Sequence, residues 1–348
     1  MGAVVVEKVA PGLGWPWDSY ADPAIGWPDV SRETMSADPR RASPFMRGNG
    51  PRRARYDVDE VPPLPSLEQD LGDVSRETSP AHLPAPPTTR IFVVANQKGG
   101  VGKTTSAVNL ATALALGGLS VLVIDLDPQG NASTALGVDH SVGTPGSYEV
   151  VIGGDQLADH LVGSSEAPGL AVLPATIDLA GAEIELVSMV ARENRLLRAL
   201  NAYLAGHHTD YVFIDCPPSL GLLTLNALVA ANEILIPIQC EYYALEGVSQ
   251  LVRTINLVKG ELNNRLRLTT VLLTMYDGRT RLAAQVAEEV RTHFAAETLP
   301  TVIPRSVRIS EAPSYGQSVL TYHPDSAGAA SYLHAAEEIA RRGTRRAD

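Results

Sequence analysis

Residues 91–118 read IFVVANQKGGVGKTTSAVNLATALALGG, and this stretch decides the fold. Residues 91–95 form a short β-branched run of the kind that makes a buried parallel strand. From Thr104 onward the apolar residues follow a helical period, which ends at Gly117 and Gly118. The stretch therefore predicts a strand that passes through a glycine-rich loop into the N-terminus of a helix.

The loop in between has the composition of a phosphate-binding site. Backbone N–H groups of a glycine-rich loop surround phosphate oxygens, and the dipole of the following helix favours their negative charge. We expect Lys103 to reach the β and γ phosphates of a nucleotide and the Thr104 hydroxyl to ligate Mg²⁺. The alternative is a glycine turn that only joins a strand to a helix. The predicted nucleotide-binding residues of this loop are Gly99, Gly100, Val101, Gly102, Lys103, Thr104 and Thr105.

Two further apolar runs end in aspartates. Residues 120–133 (SVLVIDLDPQGNAS) contain Asp125 and Asp127, and residues 211–221 (YVFIDCPPSLG) contain Asp215. A carboxylate at the carboxyl end of a parallel strand lies where the sheet opens toward the phosphate loop. We therefore expect the three aspartates to serve the same site, although each could instead be a strand-end cap or a turn residue.

The motif KGGVGKTT resembles the deviant P-loop (Walker A) family, which includes ParA partition ATPases, MinD and nitrogenase iron protein. The resemblance narrows to ParA over about residues 90–342, because six blocks occur in the ParA order. These blocks are NQKGGVGKTTSAVNLA, IDLDPQGNAST, FIDCPPSLGLLTLNAL, IPIQCEYYALEGVSQL, LLTMYDGRT and IPRSVRISEAPSYGQSV. The implied fold is one α/β P-loop NTPase domain of the SIMIBI type, with helices on both faces of a mostly parallel twisted sheet. Its expected strands cover residues 91–95, 121–127, 211–215, 233–238, 267–276 and 302–304.

The resemblance also implies roles for individual residues. Lys98 would reach across a dimer interface to the phosphates of the partner subunit, so that it joins Lys103 as a nucleotide-binding and catalytic residue. Asp127 would orient the attacking water as the third catalytic residue. Asp125 would belong to the magnesium environment with Thr104, and Asp215 would hold Mg²⁺ through water at the Walker B position. The alternative for Lys98 is a solvated loop lysine.

A further residue, Pro304, matches a position that lines the adenine site in the family. The asparagine that is usual two residues later is replaced by Ser306 in this chain. The cofactors that the resemblance implies are ATP and Mg²⁺.

The charge of the chain argues against a globally basic nucleic-acid-binding protein. The formal net charge is −11, and residues 91–348 carry 18 basic and 26 acidic residues. Any DNA contact must therefore come from a local patch. Arg279 and Arg308 match positions that ParA proteins use for DNA, and Arg281, Arg305 and the tail RRGTRR extend the patch. The alternative is that these arginines pair with local carboxylates such as Asp277 or Glu311.

The function that the resemblance implies is chromosome or plasmid segregation by a slow, partner-stimulated ATP hydrolase. An ATP-bound homodimer would hold double-stranded DNA without sequence preference, and a ParB-like centromere-binding protein would release it by stimulating hydrolysis. We expect a cytoplasmic, nucleoid-associated protein. The alternatives are a P-loop ligase or amidase that acts on a small carboxylate, a MinD-like positioning ATPase, and a non-hydrolysing DNA-bound regulator.

Two members of the wider family fit the sequence less well. Cys216 and Cys240 do not stand in the cluster-ligand contexts of nitrogenase iron protein. A MinD-like membrane helix is disfavoured because the last helix, AASYLHAAEEIARR, has an alanine-rich apolar face suited to packing on a core. Both cysteines lie in apolar stretches, which favours buried reduced thiols in a cytosolic protein.

Composition divides the chain into three predicted regions. Residues 1–90 hold 14 of the 25 prolines and all three tryptophans, without a sustained apolar period. We therefore expect a disordered proline-rich arm at 1–89, an ATPase domain at 90–342 and a basic tail at 343–348. We find no signal peptide pattern, and no apolar run approaches the roughly 18 residues of a membrane span.

The arm contains one internal repeat, DVSRET, at residues 29–34 and again at 73–78. Three explanations are open: a peptide motif for a partner, a duplication without function, or a DNA element inside the gene. The third arises because Val-Ser-Arg-Glu-Thr can be encoded by GTTTCACGTGAAAC, which is its own reverse complement and looks like a centromere element that ParB recognises. The codons of the gene decide between the third explanation and the others.

Overall fold

The computed structural model describes residues 82–241 and 244–345. The first 81 residues of the predicted arm, with both DVSRET copies, lie outside the described residues, as do residues 346–348 of the tail.

A single eight-stranded sheet forms the centre of the domain. Its strands are β1 (Arg90–Val94), β2 (Val121–Asp125), β3 (Val162–Gly163), β4 (Leu170–Leu173), β5 (Tyr211–Asp215), β6 (Glu233–Gln239), β7 (Arg267–Tyr276) and β8 (Thr298–Pro304). The order across the sheet is β3-β4-β2-β5-β1-β6-β7-β8. Every described strand pair is parallel except β3 with β4.

The described residues include ten α-helices, seven of them between strands and three after the last strand. They are α1 (Lys103–Leu116), α2 (Asn131–Ala135), α3 (Ala182–Ser188), α4 (Arg195–Leu204), α5 (Leu222–Ala230), α6 (Ala244–Glu261), α7 (Arg281–His293), α8 (Val307–Glu311), α9 (Val319–Tyr322) and α10 (Ala327–Arg345). The predicted mostly parallel α/β architecture is confirmed. All six expected strands are present, and the short strands β3 and β4 are additions that the sequence did not predict.

Strand burial explains why the central strands read as continuous apolar runs. Every residue of β1, β2 and β5 is buried, because helices cover both faces of the sheet. On one face, Phe92 lies between Tyr211 and Phe213, with ring centroids 6.5 and 5.4 Å away. The helices α1 and α10 complete the core on this face.

The last helix packs on the core as its sequence predicted. Its buried face consists of Ala329, Tyr332, Ala335, Ala336, Ile339 and Ala340, each no more than 1% exposed. The four alanines among these residues let α10 approach α1 closely. Neither α10 nor any other helix in the described ranges is both long enough and apolar enough to span a bilayer.

The folded domain extends beyond both of its predicted boundaries. Residues 82–89, which the sequence analysis places in the arm, contact the domain: the backbone N–H of Leu83 donates to the Gly117 carbonyl at 2.9 Å. A Cβ atom at Gly117 would lie 2.5 Å from the Leu83 side chain, so this close approach requires glycine. At the other end, α10 continues to Arg345, beyond the expected start of the tail.

A buried ion pair joins four elements at the amino end of the sheet. The Arg90 guanidinium donates to both carboxylate oxygens of Glu233, at 2.6 and 2.7 Å, and to the Ile339 carbonyl of α10 at 2.6 Å. The Thr269 hydroxyl of β7 also donates to Glu233, at 2.6 Å. The guanidinium lies over the Phe92 ring, 4.7 Å from its centroid. The pair therefore anchors α10 to three neighbouring strands.

We expect Glu233→Ala to lower the free energy of unfolding by about 3–5 kcal/mol, because it leaves the Arg90 charge buried without its carboxylate. Urea unfolding followed by circular dichroism measures this change. The matched control is Arg341→Ala, which breaks the 3.3 Å pair with Glu338 on the exposed side of α10. Such surface pairs contribute about 0–1 kcal/mol. A Glu233→Ala effect as small as that of the control would contradict the anchoring role.

Candidate functional site

The glycine-rich loop connects β1 directly to α1. Gly100 and Gly102 have φ angles of +73° and +89°, values that residues with a Cβ rarely adopt. Gly99 and Gly100 are exposed, with open space where a Cβ would stand. The 14-residue helix α1 begins at Lys103, directly after the loop. The unpaired N–H groups at the N-terminus of this helix therefore face the loop. This geometry, a glycine-rich loop at a helix N-terminus, is of the kind that binds anions.

Neighbouring strands hold the loop in place. The Thr274 hydroxyl of β7 donates to the Val101 carbonyl at 2.8 Å, and Val101 itself is buried. The Asn96 side chain donates to the Pro237 carbonyl at 2.8 Å and accepts from the Lys98 N–H at 3.0 Å. Neither residue was predicted from the sequence. A threonine within the apolar run of β7 is the only signal that could have indicated Thr274.

The predicted carboxylates meet at the carboxyl edge of the sheet. Asp125 and Asp215 are in register on the adjacent parallel strands β2 and β5. Lys103 is only 8% exposed. Burial lowers the pKa of Lys103, and the nearby charges of Asp215 and Asp127 act in the opposite direction. The structure therefore brings the phosphate-loop lysine and all three predicted aspartates together.

The Asp215 carboxylate is buried and short of partners. Neither of its oxygens receives a hydrogen bond from the described residues. Burial raises its pKa to about 8, the adjacent Asp125 adds to this shift, and Thr104 and Lys103 oppose it. Buried polar atoms without a donor are rare in folded proteins and fit a site that awaits a cation or ordered water.

The donor set suits magnesium better than an all-protein metal cage. In the parts of the chain that the structure describes, no group of three or more His, Cys, Asp or Glu side chains is placed to hold a metal ion. Mg²⁺ usually takes one or two protein oxygens and completes its shell with phosphate oxygens and water. Asp215 and the adjacent Thr104 hydroxyl fit that requirement.

Asp125 lies beside Asp215, but its oxygens are already engaged. One oxygen accepts from the Asp127 N–H at 3.1 Å, and the other accepts from the Ser133 N–H at 2.9 Å and the Ser133 hydroxyl at 2.7 Å. Burial raises its pKa to about 6, while these hydrogen bonds act in the opposite direction. Asp125 therefore holds the segment that carries Asp127 and offers no free oxygen comparable to those of Asp215. The sequence expectation of a shared magnesium environment did not anticipate this difference.

Asp127 is oriented by its own loop. It is 9% exposed, and one carboxylate oxygen accepts from the Gln129 N–H at 3.0 Å. Its carbonyl accepts from the Gly130 N–H at 2.9 Å. These contacts fix the side chain at the edge of the site, where its charge acts on Lys103.

Lys98 lies in a different environment from Lys103. Its side chain is 37% exposed, and its ammonium group is 3.4 Å from a carboxylate oxygen of Glu241, two residues after the end of β6. Glu241 was not predicted from the sequence.

Pro304 is the last residue of β8 and lies opposite Tyr276 of β7. Ser306, two residues later, directly precedes α8.

The two predicted DNA-binding arginines lie at the same edge of the sheet as the phosphate loop, after β7 and in α8. The Arg279 guanidinium donates to both oxygens of Asp277 at 2.8 Å, and Arg308 is 3.2 Å from Glu311. The local pairing foreseen as the alternative is therefore present. Both arginine side chains nevertheless remain exposed, at 89% and 52%. Exposed pairs of this kind contribute little energy, so they leave the guanidinium groups open to exchange with other anions.

Asp215 should make the stability of the nucleotide-free protein depend on pH. Its folded-state pKa of about 8 exceeds the value near 4 of an unfolded aspartate, so the folded state holds the extra proton between these values. Stability therefore falls as pH rises, by about 2 kcal/mol between pH 6 and pH 8. We expect Asp215→Asn to remove most of this decline.

The measurement is the free energy of unfolding in urea at pH 6, 7 and 8, with EDTA and without nucleotide. Asp139→Asn, which changes an exposed aspartate, is the matched control and should retain the wild-type slope. An Asp215→Asn variant with the wild-type slope would show that Asp215 ionises normally in the folded protein.

Comparison with known proteins shows which family the chain belongs to. Residues 89–268 match the AAA domain family. The sporulation initiation inhibitor protein Soj of Bacillus subtilis is 51% identical over 254 residues, which cover 73% of this chain and 99% of Soj. The chromosome partitioning protein ParA of Caulobacter vibrioides is 52% identical over 250 residues, which cover 72% of this chain and 93% of ParA.

A solved structure with the same fold is cobyrinic acid a,c-diamide synthase from Mycobacterium smegmatis with bound ADP and magnesium. It aligns with a TM-score of 0.64 and 39% identity, over 73% of this chain and 95% of the synthase. The identity to the two partitioning proteins is higher and extends over nearly their whole length. The chain therefore belongs to the ParA/Soj family of chromosome partitioning proteins.

Proposed function

We propose that this protein is a slow ATP hydrolase that drives DNA segregation by forming a homodimer when ATP is bound. The observation that carries the proposal is the contrast between the two lysines of the loop. Lys103 is buried beside Asp215, whereas Lys98 is held away on Glu241 with its side chain partly exposed. One lysine thus serves the nucleotide of its own subunit, and the other is available to the nucleotide of a second subunit.

ATP and Mg²⁺ are the cofactors of the proposed reaction. The backbone of residues 99–102 and the first turn of α1 bind the phosphates, with Lys103 and Thr105 at the helix start. Thr104 and Asp215 hold Mg²⁺, which neutralises charge on the phosphate oxygens when bound. Pro304 lines the adenine site. Asp125 acts through Ser133 and Asp127 by fixing the loop between β2 and α2.

Hydrolysis in this proposal depends on positioning. Asp127, held by the backbone of Gln129 and Gly130, orients the attacking water. Lys98 crosses to the partner subunit and stabilises charge on the transferred phosphoryl group. Because only these few groups act on the reaction, turnover is slow. A ParB-like centromere-binding protein stimulates it. Hydrolysis then dissolves the dimer.

DNA binding belongs to the dimer and goes to phosphates without sequence preference. Arg279 and Arg308 of both subunits supply the contacts, and Arg281 and Arg305 extend the patch. This local arrangement compensates for the acidic charge of the chain. The protein is cytoplasmic and nucleoid-associated in this proposal. The proposed regions remain an arm (1–89), an ATPase domain (90–342) and a tail (343–348), with residues 82–89 packed against the domain and the last helix reaching Arg345.

The experiment that tests the proposal is sedimentation of the purified protein with a long non-specific duplex, with ATP, with ADP or without nucleotide. We expect only ATP to produce a dimer that binds DNA, and we expect salt to weaken that binding. The double variant Arg279→Ala/Arg308→Ala should still dimerise. Because it removes four phosphate contacts per dimer, the slope of log affinity against log salt should fall in magnitude by about 3–4.

The matched control for the arginine variant is Arg198→Ala, which changes an exposed arginine on α4. It should change neither the affinity for DNA nor the salt slope appreciably. An ATP dimer that ignores DNA would remove segregation from the proposal while leaving the nucleotide switch. A protein that stays monomeric with ATP would overturn the switch itself.

The catalytic assignments predict opposite defects for two variants. Lys98→Ala should bind ATP as a monomer but lose stimulated hydrolysis, because no lysine reaches the partner nucleotide. Asp127→Ala should dimerise with ATP and remain on DNA, because the water is no longer oriented. ATP turnover and DNA retention in the same samples measure both effects. Stimulated turnover by Lys98→Ala near the wild-type rate, or failure of Asp127→Ala to dimerise, would remove that residue from its role.

A second candidate function is a P-loop ligase or amidase that acts on a small carboxylate. The observation that favours it is the 39% identity to the mycobacterial cobyrinic acid a,c-diamide synthase. Such an enzyme needs a substrate pocket beside the γ-phosphate. Comparing the stimulation of ATP turnover by duplex DNA with that by small carboxylic acids discriminates the two functions.

A further inference from the structure

Glu241 binds two cations from different parts of the fold. One carboxylate oxygen lies 3.4 Å from the Lys98 ammonium group of the phosphate loop. The other accepts from the Arg305 guanidinium at 3.1 Å and from the Gln239 side-chain amide at 2.5 Å. Glu241 follows β6, and Arg305 follows β8. The carboxylate therefore connects the nucleotide end of the site with the arginine-rich edge.

Of these contacts, the one to Lys98 is the easiest to break. Arg305 and Gln239 hold one oxygen of Glu241 at hydrogen-bond distance, independently of Lys98. The Lys98 contact is longer, and it joins side chains that are 37% and 44% exposed. Asn96 holds only the backbone N–H of Lys98, at 3.0 Å, so the lysine side chain can turn away without moving the loop. The lysine can therefore leave while the carboxylate stays in place.

We propose that Glu241 is a positioning residue that holds Lys98 back in the unpaired subunit, so that dimerisation must first break this ion pair. The inference rests on the proposed function, in which Lys98 contacts the phosphates of the partner subunit. Glu241 touches neither nucleotide nor water in this role. It sets how readily two ATP-bound subunits associate, and it leaves the rate of the chemical step in the dimer unchanged.

The size of the effect follows from the symmetry of the dimer. Each of the two subunits gives up one exposed ion pair, so the cost of a single pair counts twice. Removal of both pairs should tighten the dimer dissociation constant about 2- to 30-fold, which corresponds to about 0.4–2 kcal/mol at 1.4 kcal/mol per tenfold change.

The neighbouring charges determine how the test must be designed. Asp277 is bound mainly by Arg279, and Arg305 is close enough to contribute to the lowering of its pKa to about 2. Lys98, Glu241, Arg305, Asp277 and Arg279 thus form a row of alternating charges. Neutralising either acid strengthens DNA binding by charge alone. Dimerisation must therefore be measured without DNA.

The test is sedimentation equilibrium of the full chain over a series of protein concentrations, with Mg²⁺ and a non-hydrolysable ATP analogue. Glu241→Gln should dimerise at 2- to 30-fold lower protein concentration than wild type. The matched control is Asp277→Asn, which neutralises an acid of the same row that pairs with Arg279. It should leave dimerisation unchanged in the absence of DNA. Maximal ATP turnover per dimer at saturating protein should be the same for Glu241→Gln and wild type.

A second variant, Glu241→Ala, removes the acceptor completely and should tighten the dimer in the same direction. If wild type dimerises and both Glu241 variants dimerise equally or more weakly, Glu241 does not hold Lys98 back and the inference is overturned while the proposed function stands. If wild type stays monomeric with the analogue, the dimer mechanism fails and the role of Glu241 fails with it. If Asp277→Asn tightened the dimer equally, the effect would come from the loss of any negative charge at this edge, and the inference would also be overturned.

Discussion

The burial of two carboxylates side by side at the carboxyl edge of the sheet constrains the rest of the site. Asp125 and Asp215 are in register on adjacent strands, and both are fully buried. Burial raises the pKa values of both groups, and a neighbouring carboxylate adds to each shift: Asp127 to that of Asp125, and Asp125 to that of Asp215. The fold satisfies Asp125 with three hydrogen bonds, whereas Asp215 receives none of ordinary geometry from the described residues and has only the Thr104 side chain nearby as a potential donor. The shortage of hydrogen-bond donors thus falls on Asp215, the carboxylate that lies beside Thr104 and Lys103.

The different roles of Asp125 and Asp215 explain why specific hydrogen bonds hold the neighbouring segments in place. Asp125 organises the segment that carries Asp127, and Thr274 and Asn96 fix the phosphate loop opposite. A cation at Asp215 would relieve the charge that burial disfavours, so binding energy is available at the point where phosphate and metal meet. A buried carboxylate without hydrogen-bond donors lowers the stability of the fold as long as its ligand is absent.

Much of this arrangement could be predicted from sequence because the decisive features are local. The strand, loop and helix of residues 91–118 are contiguous, and aspartates at strand ends must gather at one edge of a parallel sheet. Glu241 and Thr274 escaped prediction because their roles depend on contacts 143 and 173 residues away in the chain. The strand β4 escaped because a run of four residues between turns carries little periodicity.

The proposed DNA binding raises a separate question, which is how an acidic domain would hold DNA reversibly. The arginines of the edge are individually paired with Asp277, Glu311 and Glu241, so a single subunit presents little uncompensated positive charge. A phosphate backbone must displace those carboxylates, and exposed pairs resist displacement only weakly. In the proposed dimer, two copies of the same edge on one duplex would turn the second set of contacts into an intramolecular event, which raises affinity without new chemistry. If the proposed function holds, weak pairing in each subunit and doubling in the dimer would together make DNA binding depend on association of the subunits, and therefore on the nucleotide.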